Sequence, residues 1–481
     1  MIFNSLTYFL LLIVVVVLYW VLPYRSRLLL IFTASMAFYG FWRVEFLPVM
    51  LASTLVDFLV SRRMPGASDR GKKLLLMTSL IVNLGLLFYF KYLIFFAVNA
   101  IGFANLLGAN IDPIFLHIVL PLGISFYTFQ TISYTVDVYR GFIKPEQDFL
   151  LYACYVTFFP QLVAGPVLRA AEVIHQFAKR APFDWDDITM GVRRILYGLF
   201  LKVVLADNIA PLVDTGFAMP LDAMSALDVW TMAFLFGFQI YFDFSAYSHI
   251  ALGSARLMGL RFPENFNFPY IAVSPKDFWH RWHISLSSWI RDYLYLPLAG
   301  VKVHDRSIGG LGNATQDKKH HKALFLTWGI MGLWHGASWT FLLWGLYHGV
   351  VIFIYRLVEP HTHRFNHTLK WLGGFMITLP LMMLAWIPFR ADSLSATFEM
   401  WGRVLTPSAY TWLGMRENVY LITALILVGT IAVYFLQRKI MPLLQGKKLV
   451  VLFADTAAVA VMTALVIVWL RPINQFIYFQ F

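Results

Sequence analysis

The chain has 481 residues, of which 59% are hydrophobic and 13% charged, and its formal net charge is +12. A soluble domain carries about 25% charged residues, so this composition excludes an ordinary soluble globular protein and makes the lipid bilayer the expected solvent. The single cysteine, Cys154, excludes an intramolecular disulfide, a cysteine-rich zinc site and an iron–sulfur cluster. The basic residues lie mostly in short links between apolar runs, which indicates orientation in a membrane rather than binding of nucleic acid.

Apolar runs that suit a bilayer crossing of about 20 residues recur along the chain. The clear candidates are Leu6–Leu22, Leu28–Trp42, Phe46–Val60, Leu74–Ala97, Tyr152–Val167, Trp230–Leu252, Leu324–Ile354, Leu372–Ile387, Val419–Phe435 and Val450–Leu470, and the weaker ones are Ile114–Val136 and Gly191–Leu205. We therefore predict an all-α, polytopic membrane protein with about 10 to 12 transmembrane helices, some of them re-entrant or interfacial. We expect a single domain over residues 1–481. The first run has no basic segment before it, so we expect a retained helix rather than a signal peptide.

Two basic links indicate the orientation of the chain. Ser61–Lys73 contains five basic residues and one acidic residue, Asp69, and Val301–Lys322 contains five basic residues and two acidic ones. Because basic loops stay on the cytoplasmic side, we predict that both links are cytoplasmic.

The segment Ser274–Pro297 is too polar to cross lipid alone. Ser274 suits a helix N-cap, Pro275 the first helical position and Pro297 the end of the helix. One apolar stripe, at helical spacing, is formed by Phe278, Trp282, Leu286, Trp289 and Tyr293. We therefore predict one aromatic, amphipathic helix that lies in the membrane interface or packs inside the protein. From spacing alone, His283 beside this stripe is an interfacial histidine hydrogen-bonded to a neighbour.

His335 stands inside the long apolar run Leu324–Ile354. An ionisable side chain at membrane depth is costly, and it is therefore a candidate functional residue. Gly332 and Gly336 leave room for the close approach of another backbone or of a substrate. A neutral imidazole at this depth can act as a general base toward a hydroxyl. The alternative is a histidine that only packs in the core.

Other catalytic motifs are missing from the sequence. It contains no GxSxG elbow, no Walker loop and no HExxH motif. The histidine pairs His320–His321 and His361/His363 lie in polar links with few carboxylates, which favours a solvated surface over a metal site. We therefore predict no metal and no permanently bound cofactor.

Seven strings follow one another along the chain in a fixed order. They are PLGISFYTFQTISYTVDVYRG (121–141), FFPQLVAGPVLR (158–169), GLFLKVVLAD (198–207), FDFSAYSHIALGSARLMGLRFPENFNFPY (242–270), FWHRWHISLSSWIRDYLYLPLAG (278–300), GLWHGASWTFLLWGLYHG (332–349) and FRADS (389–393). Together they resemble the membrane-bound O-acyltransferases. The resemblance is strongest to the bacterial branch that acetylates polysaccharides, typified by the alginate and peptidoglycan O-acetyltransferases.

The resemblance implies a helical fold that thins toward its centre and encloses a central tunnel. The family's two signature histidines match His335 and His283, and the histidine of the WHG motif, His335 here, is the one regarded as catalytic. Further expectations concern residues that shape a dry tunnel or fix its local geometry, namely Trp279, Trp282, Trp334, Trp339, Arg291 and Asp292. One departure is His249, since many relatives have an acidic residue at that position.

The reaction implied by the resemblance is acyl transfer across a bacterial inner membrane. The expected donor is acetyl-CoA or another cytoplasmic acyl thioester, whose phosphates the basic residues of Val301–Lys322 could attract. The expected acceptor is a hydroxyl of a polysaccharide or of a periplasmic partner acetyltransferase. His335 would be the general base, and His283 would orient the donor or polarise its carbonyl.

Two alternatives remain open. A lipid acyltransferase or a teichoic-acid D-alanylation enzyme could share this fold, since substrate is not determined by fold. A transporter of acyl groups or glycans would need no chemistry, and we find no paired inverted repeats that would favour it.

Overall fold

The computed structural model describes residues 3–112, 118–163, 165–301, 320–364, 366–444 and 446–470. Within these ranges the chain is helical and has no β-strand, so the all-α prediction is confirmed. The first eleven α-helices are α1 (Leu6–Val21), α2 (Tyr24–Gly40), α3 (Leu47–Arg63), α4 (Asp69–Leu87), α5 (Leu93–Leu106), α6 (Ile124–Tyr139), α7 (Phe149–Thr157), α8 (Ala170–Ala178), α9 (Trp185–Leu199), α10 (Asp207–Phe217) and α11 (Ala226–Leu257). The others are α12 (Pro275–Arg281), α13 (Ile284–Ile290), α14 (Leu296–Leu298), α15 (His321–His335), α16 (Trp339–Val358), α17 (His367–Leu384), α18 (Trp386–Arg390), α19 (Leu394–Leu405), α20 (Glu417–Phe435), α21 (Met441–Leu444) and α22 (Lys448–Val468).

Seven helical stretches among the described residues are long and apolar enough to cross a membrane. They are Val44–Gly66, Asp69–Leu106, Trp185–Phe217, Trp339–Thr362, Thr368–Arg390, Glu417–Leu444 and Lys448–Val468. Many of their apolar side chains lie on the surface, for example Phe453 on α22, which is 77% exposed. Such surfaces are stable when they face hydrocarbon, so the multi-pass membrane fold is confirmed. The number of crossings, about 10 to 12, stays a prediction.

Two of the predicted crossings are not single helices. Within Tyr152–Val167, α7 ends at Thr157 and a turn follows it. Within Leu324–Ile354, α15 ends at His335, where Gly336 takes an extended conformation, and α16 starts after Ser338. The Ser338 hydroxyl accepts a hydrogen bond from the backbone N–H of Thr340 and caps the new helix. The run is therefore a helical hairpin, and the prediction of one crossing was wrong there.

The basic link after α3 is shorter than the sequence pattern suggested. Ser61 is fully buried within α3, and α4 already begins at Asp69. The second basic link, Val301–Lys322, lies mostly outside the described residues, at 302–319. The cytoplasmic placement of both links stays a prediction.

The chain divides into two compact units. The first comprises Met1–Ile195 and Tyr247–Pro263, and the second comprises Leu196–Ala246 and Glu264–Phe481. In the first unit, buried Asp57 on α3 accepts hydrogen bonds from Ser79 and Asn83 of α4. The network offsets the cost of burying a carboxyl group between membrane helices. The prediction of one domain stays a prediction.

The second unit is built around the hairpin of α15 and α16. The two helices cross at Gly332 and Gly345, where a Cβ atom on Gly345 would lie 2.1 Å from the carbonyl oxygen of Trp328. The expected close approach at Gly332 is thus confirmed. At Gly336 the close neighbour is the ring of Phe341, at 2.2 Å from an added Cβ atom.

Candidate active site

The predicted helix Ser274–Pro297 is interrupted at His283. Its start is as expected, since the Ser274 hydroxyl accepts a hydrogen bond from the Asp277 N–H at 3.0 Å and Pro275 is the first helical residue. The helix α12 then ends at Arg281, and His283 has φ 42° and ψ 55°, in the left-handed region. Residues with a side chain rarely adopt this conformation, and it is frequent at functional sites. The prediction of one continuous helix was therefore wrong.

The backbone of residues 265–267 explains why the interruption is stable. The N–H of Asn267 donates to the carbonyl of Arg281 at 2.9 Å, and the N–H of Ile284 donates to the carbonyl of Asn265 at 2.9 Å. Groups that a continuous helix would pair internally are thus paired with this segment. Apolar spacing does not reveal such a partner, because Trp282 is buried just before the break and Leu286 just after it.

A side-chain hydrogen bond defines the tautomer of His283. Its Nδ1 atom lies 3.1 Å from Oδ1 of Asn265. The same Oδ1 accepts from the hydroxyl of Ser285 at 2.9 Å and from its backbone N–H at 3.4 Å. Of the two terminal atoms of an asparagine amide only the oxygen accepts hydrogen bonds, so the His283 Nδ1 must carry the proton and donate it. The Nε2 atom then has the lone pair.

Burial keeps His283 neutral. The ring is fully buried, with Phe244 4.7 Å away between centroids. Desolvation lowers the pKa of His283 from 6.5 to about 3, because the charged form loses its hydration. At neutral pH, Nε2 can accept a proton or a hydrogen bond, but it cannot donate one.

His335 is the last residue of α15 and is buried. Its ring makes edge-on contacts with three aromatic rings, with centroid distances of 4.9 Å to Trp334, 4.8 Å to Trp344 and 5.2 Å to Phe389. The indole and phenyl rings surround the imidazole with apolar surface. A buried imidazole in such surroundings can exchange a proton with a bound substrate while bulk water is kept away.

A continuous series of ring contacts connects the two histidines. From His283 it runs through Phe266, Trp282, Trp386 and Phe389 to His335, with centroid distances of 6.4, 5.1, 4.9, 5.5 and 5.2 Å. The structure therefore places both histidines in one aromatic cluster, although 52 residues separate them in sequence (335 − 283). We call it the histidine cluster.

The other residues predicted for the site divide into three groups. Trp279, Trp282 and Trp334 are buried in the second unit. Arg291 and Asp292 form an ion pair with an N–O distance of 2.5 Å. Trp339 is 49% exposed at the start of α16, so its indole does not close the cluster from water. The roles of these residues in catalysis stay predictions.

Several residues next to the histidine cluster were not predicted from the sequence. Asn265 lies in the string PENFNFPY, but nothing in that spacing links it to His283. Trp344 and His348 occupy successive turns of α16 and belong to the same string as His335. That shared string was the available signal for them.

His249 lies in the first unit, on α11. Its Nδ1 atom accepts a hydrogen bond from Nε of Arg194 at 3.3 Å. An imidazole therefore lies beside Arg194 at the position where the resemblance led us to expect an acidic residue.

Comparison with known proteins identifies the family. The family model described as membrane-bound O-acyltransferase matches residues 146–389. The "Probable alginate O-acetylase" of Azotobacter vinelandii is 38% identical over 428 residues, which are 87% of this chain and 81% of the relative. The "Peptidoglycan O-acetyltransferase" of Helicobacter pylori is 34% identical over 76% of this chain and 71% of the relative. The "Teichoic acid D-alanyltransferase" of Bacillus subtilis is 30% identical over 52% of this chain and 62% of the relative. The chain therefore belongs to the membrane-bound O-acyltransferase family and is a multi-pass membrane O-acyltransferase.

Proposed function

We propose that this enzyme transfers an acetyl group from a cytoplasmic acyl thioester, acetyl-CoA, to a hydroxyl of a polysaccharide outside the cytoplasm. The transfer takes place in a bacterial inner membrane, and the acceptor is either the polysaccharide or a periplasmic partner acetyltransferase. The alginate and peptidoglycan relatives align with most of this chain, and their names support a polysaccharide acceptor.

The single observation that carries the proposal is the histidine cluster. A buried imidazole at the end of α15 lies in one series of rings with a second buried imidazole of defined tautomer. Burying two such polar groups in an apolar interior costs free energy. Their presence there therefore favours a functional role. Proton transfer to and from hydroxyl and thiol groups is a role that neutral histidines perform well.

The chemical step proceeds as follows. The acceptor hydroxyl donates its proton to His335 as its oxygen attacks the thioester carbonyl carbon. The tetrahedral intermediate then expels the thiolate, which takes the proton from His335, and the products are an ester and a free thiol. General-base catalysis of this kind contributes about 100- to 10,000-fold to the rate.

His283 has a narrower role than the sequence suggested. Polarising a carbonyl requires a donated hydrogen, but its Nδ1–H is directed to Asn265 and its Nε2 has the lone pair. We therefore propose that His283 orients a substrate by accepting a hydrogen bond from a hydroxyl or amide group.

Teichoic-acid D-alanylation is the second candidate. Its relative aligns with 52% of this chain, against 87% for the alginate relative. The two candidates use different donors, so the assay below includes an acyl carrier protein thioester beside acetyl-CoA.

The test uses purified protein in lipid nanodiscs, radiolabelled acetyl-CoA, and polysaccharide or a partner acetyltransferase as acceptor. The variant His335→Gln keeps much of the side-chain volume but loses the titratable nitrogen. We expect it to bind acetyl-CoA with unchanged affinity and to lose at least about 100-fold in kcat. The variant His283→Ala should also accumulate normally, with a smaller loss.

Three results would contradict the proposal. Near-normal transfer by His335→Gln would exclude His335 as the base. Failure of either variant to accumulate would make that histidine structural. Wild-type protein that binds acetyl-CoA but transfers no label, even with the partner acetyltransferase present, would favour a transporter.

A further inference from the structure

His348 is a third buried histidine of the second unit, one aromatic ring away from His335. It lies on α16, it is 1% exposed, and its ring centroid is 4.8 Å from that of Trp344. Trp344 in turn lies 4.8 Å from the ring of His335. The proposed mechanism leaves His348 without a role.

His348 also contacts three further aromatic rings. Its centroid distances are 4.9 Å to Trp279, 5.4 Å to Trp328 and 5.7 Å to Tyr347. Such contacts satisfy the faces and edges of the imidazole ring. In the part of the chain that the structure describes, neither imidazole nitrogen has a hydrogen-bond partner.

Four buried polar atoms in this group have no hydrogen-bond partner among the residues that the structure describes. They are Nδ1 and Nε2 of His348, Nε1 of Trp344 and Nε1 of Trp279. The centroids of Trp279 and Trp344 are 6.0 Å apart, so the three rings form a compact triangle. Leaving a buried polar atom unpaired is destabilising, and a single triangle with four such atoms indicates a site for a ligand.

The donors and acceptors of the triangle define what it can bind. Each indole offers one N–H donor, and a neutral imidazole offers one donor and one acceptor. Three of these four atoms are therefore donors. Their complement is a carbonyl oxygen, which has two lone pairs in the bound thioester and three once it becomes the oxyanion of a tetrahedral intermediate. An acyl thioester has such an oxygen at its reactive carbon. The amide groups in the arm of acetyl-CoA offer the same oxygen a short distance from the sulfur.

We propose that His348, with the indole N–H groups of Trp279 and Trp344, binds a carbonyl oxygen of the acyl donor next to His335. This inference rests on the proposed function, since it presumes a thioester donor at the histidine cluster. It adds His348 as a residue that contacts the substrate, and it gives Trp279 a specific hydrogen-bonding role.

The test compares His348→Phe with a control from the neighbouring position. Phenylalanine keeps a ring in the aromatic packing but removes both nitrogens. In the control Tyr347→Phe, the lost hydroxyl is one that donates to the carbonyl of Leu381 at 2.8 Å. The measurements are kcat and KM for acetyl-CoA, and the midpoint of thermal unfolding without donor.

The two variants should have opposite signatures. We expect His348→Phe to lose about 10-fold or more in kcat/KM while its unfolding midpoint stays equal or rises, because unpaired polar atoms have been removed. Tyr347→Phe should unfold at a lower temperature with unchanged kinetics. His348→Gln, whose amide again supplies N–H donors and an oxygen acceptor, should recover part of the activity and serves as the test if the Phe variant does not accumulate.

The kinetic constants identify the carbonyl that is bound. A loss in kcat assigns the contact to the thioester oxygen, whose charge grows in the transition state, and a rise in KM alone assigns it to an amide of the donor's arm. Wild-type kcat/KM in His348→Phe would overturn the inference. If wild-type protein does not use acetyl-CoA, the proposed donor fails, and the same variants are then judged with an acyl carrier protein thioester.

Discussion

Asn265 determines which hydrogen-bonding face His283 presents to a substrate. Its Oδ1 atom receives Nδ1–H of His283 and both donors of Ser285, so it acts only as an acceptor. The imidazole is thereby held in one tautomer and one orientation. A change at Asn265 should therefore alter the protonation of His283 without touching the substrate directly.

The variant Asn265→Asp tests this relation through the pH dependence of the reaction. In the wild type, burial lowers the pKa of His283 to about 3, so the ring stays neutral between pH 6 and 8. The contribution of His283 to the reaction rate should therefore be constant over this range. A carboxylate at position 265 would raise that pKa toward neutrality, and more of the ring would be protonated as the pH falls. We expect kcat/KM of the variant to drop about 10-fold from pH 8 to pH 6 relative to wild type.

Ser285→Ala is the matched control, since it removes one hydrogen bond to Asn265 and adds no charge. Its loss of activity should be small and independent of pH. Identical pH profiles for Asn265→Asp and wild type would show that Nδ1 of His283 does not face Oδ1 of Asn265.

At the level of single residues, the sequence pointed to two histidines of the candidate site, whose catalytic roles stay predictions. His335 and His283 were found from an ionisable side chain at membrane depth and from family motifs, and both are buried in one aromatic cluster. The partner of His283 could not be predicted, because 18 residues and a helix break separate Asn265 from it. The burial of His348 likewise depends on helices that only the fold brings together.

At the level of elements, the main differences from expectation are two helix interruptions. Residues Ser274–Pro297 and Leu324–Ile354 are continuous in their apolar patterns, but one breaks at His283 and the other after His335. Periodicity reports which side chains are buried, and burial continues across both breaks. The cause of each break is a backbone partner or a cap, and both breaks coincide with a candidate catalytic histidine.

The close crossing of α15 and α16 leads to a prediction about glycine. A Cβ atom at Gly345 would lie 2.1 Å from the carbonyl oxygen of Trp328, so Gly345→Ala must separate the two helices. We expect the variant to be destabilised by about 1–3 kcal/mol and to lose most activity, because His335 ends one helix and Trp344 lies on the other. The unfolding midpoint and acetyl transfer measure the two effects.

Gly329→Ala on α15 is the control for this prediction. An added Cβ atom there would meet Leu342 at 3.5 Å, an ordinary contact. Alanine also favours a helix by up to about 1 kcal/mol over glycine, so this variant should be as stable as wild type or more so. Equal stability of both alanine variants would refute the tight crossing.

At the level of the whole molecule, composition was the most informative property. A content of 59% hydrophobic residues with 13% charged ones predicted a membrane protein, and the structure has seven helical stretches suited to crossing among its described residues. Whether a chain folds in water or in a membrane depends on its average composition, and this composition can be read directly from the sequence. Orientation depends on the few charges in the links, and it determines from which side a thioester donor reaches His335.

The last prediction therefore concerns orientation. The stretch Val44–Gly66 is long and apolar enough for one crossing, and we predict that its two ends face opposite sides of the membrane. The link after it has the basic excess, and the positive-inside rule places that link in the cytoplasm. Glu45, before α3, and Asp69, after it, are both exposed and serve as a matched pair of probes. The only native cysteine, Cys154, is buried and should stay unlabelled.

An impermeant maleimide added to intact spheroplasts should label Glu45→Cys rapidly, whereas Asp69→Cys should react only after the membrane is permeabilised. Ser307→Cys, in the second basic link, should behave like Asp69→Cys. The reverse pattern would place the basic links outside, and a cytoplasmic thioester would then have to enter from the opposite end of the protein.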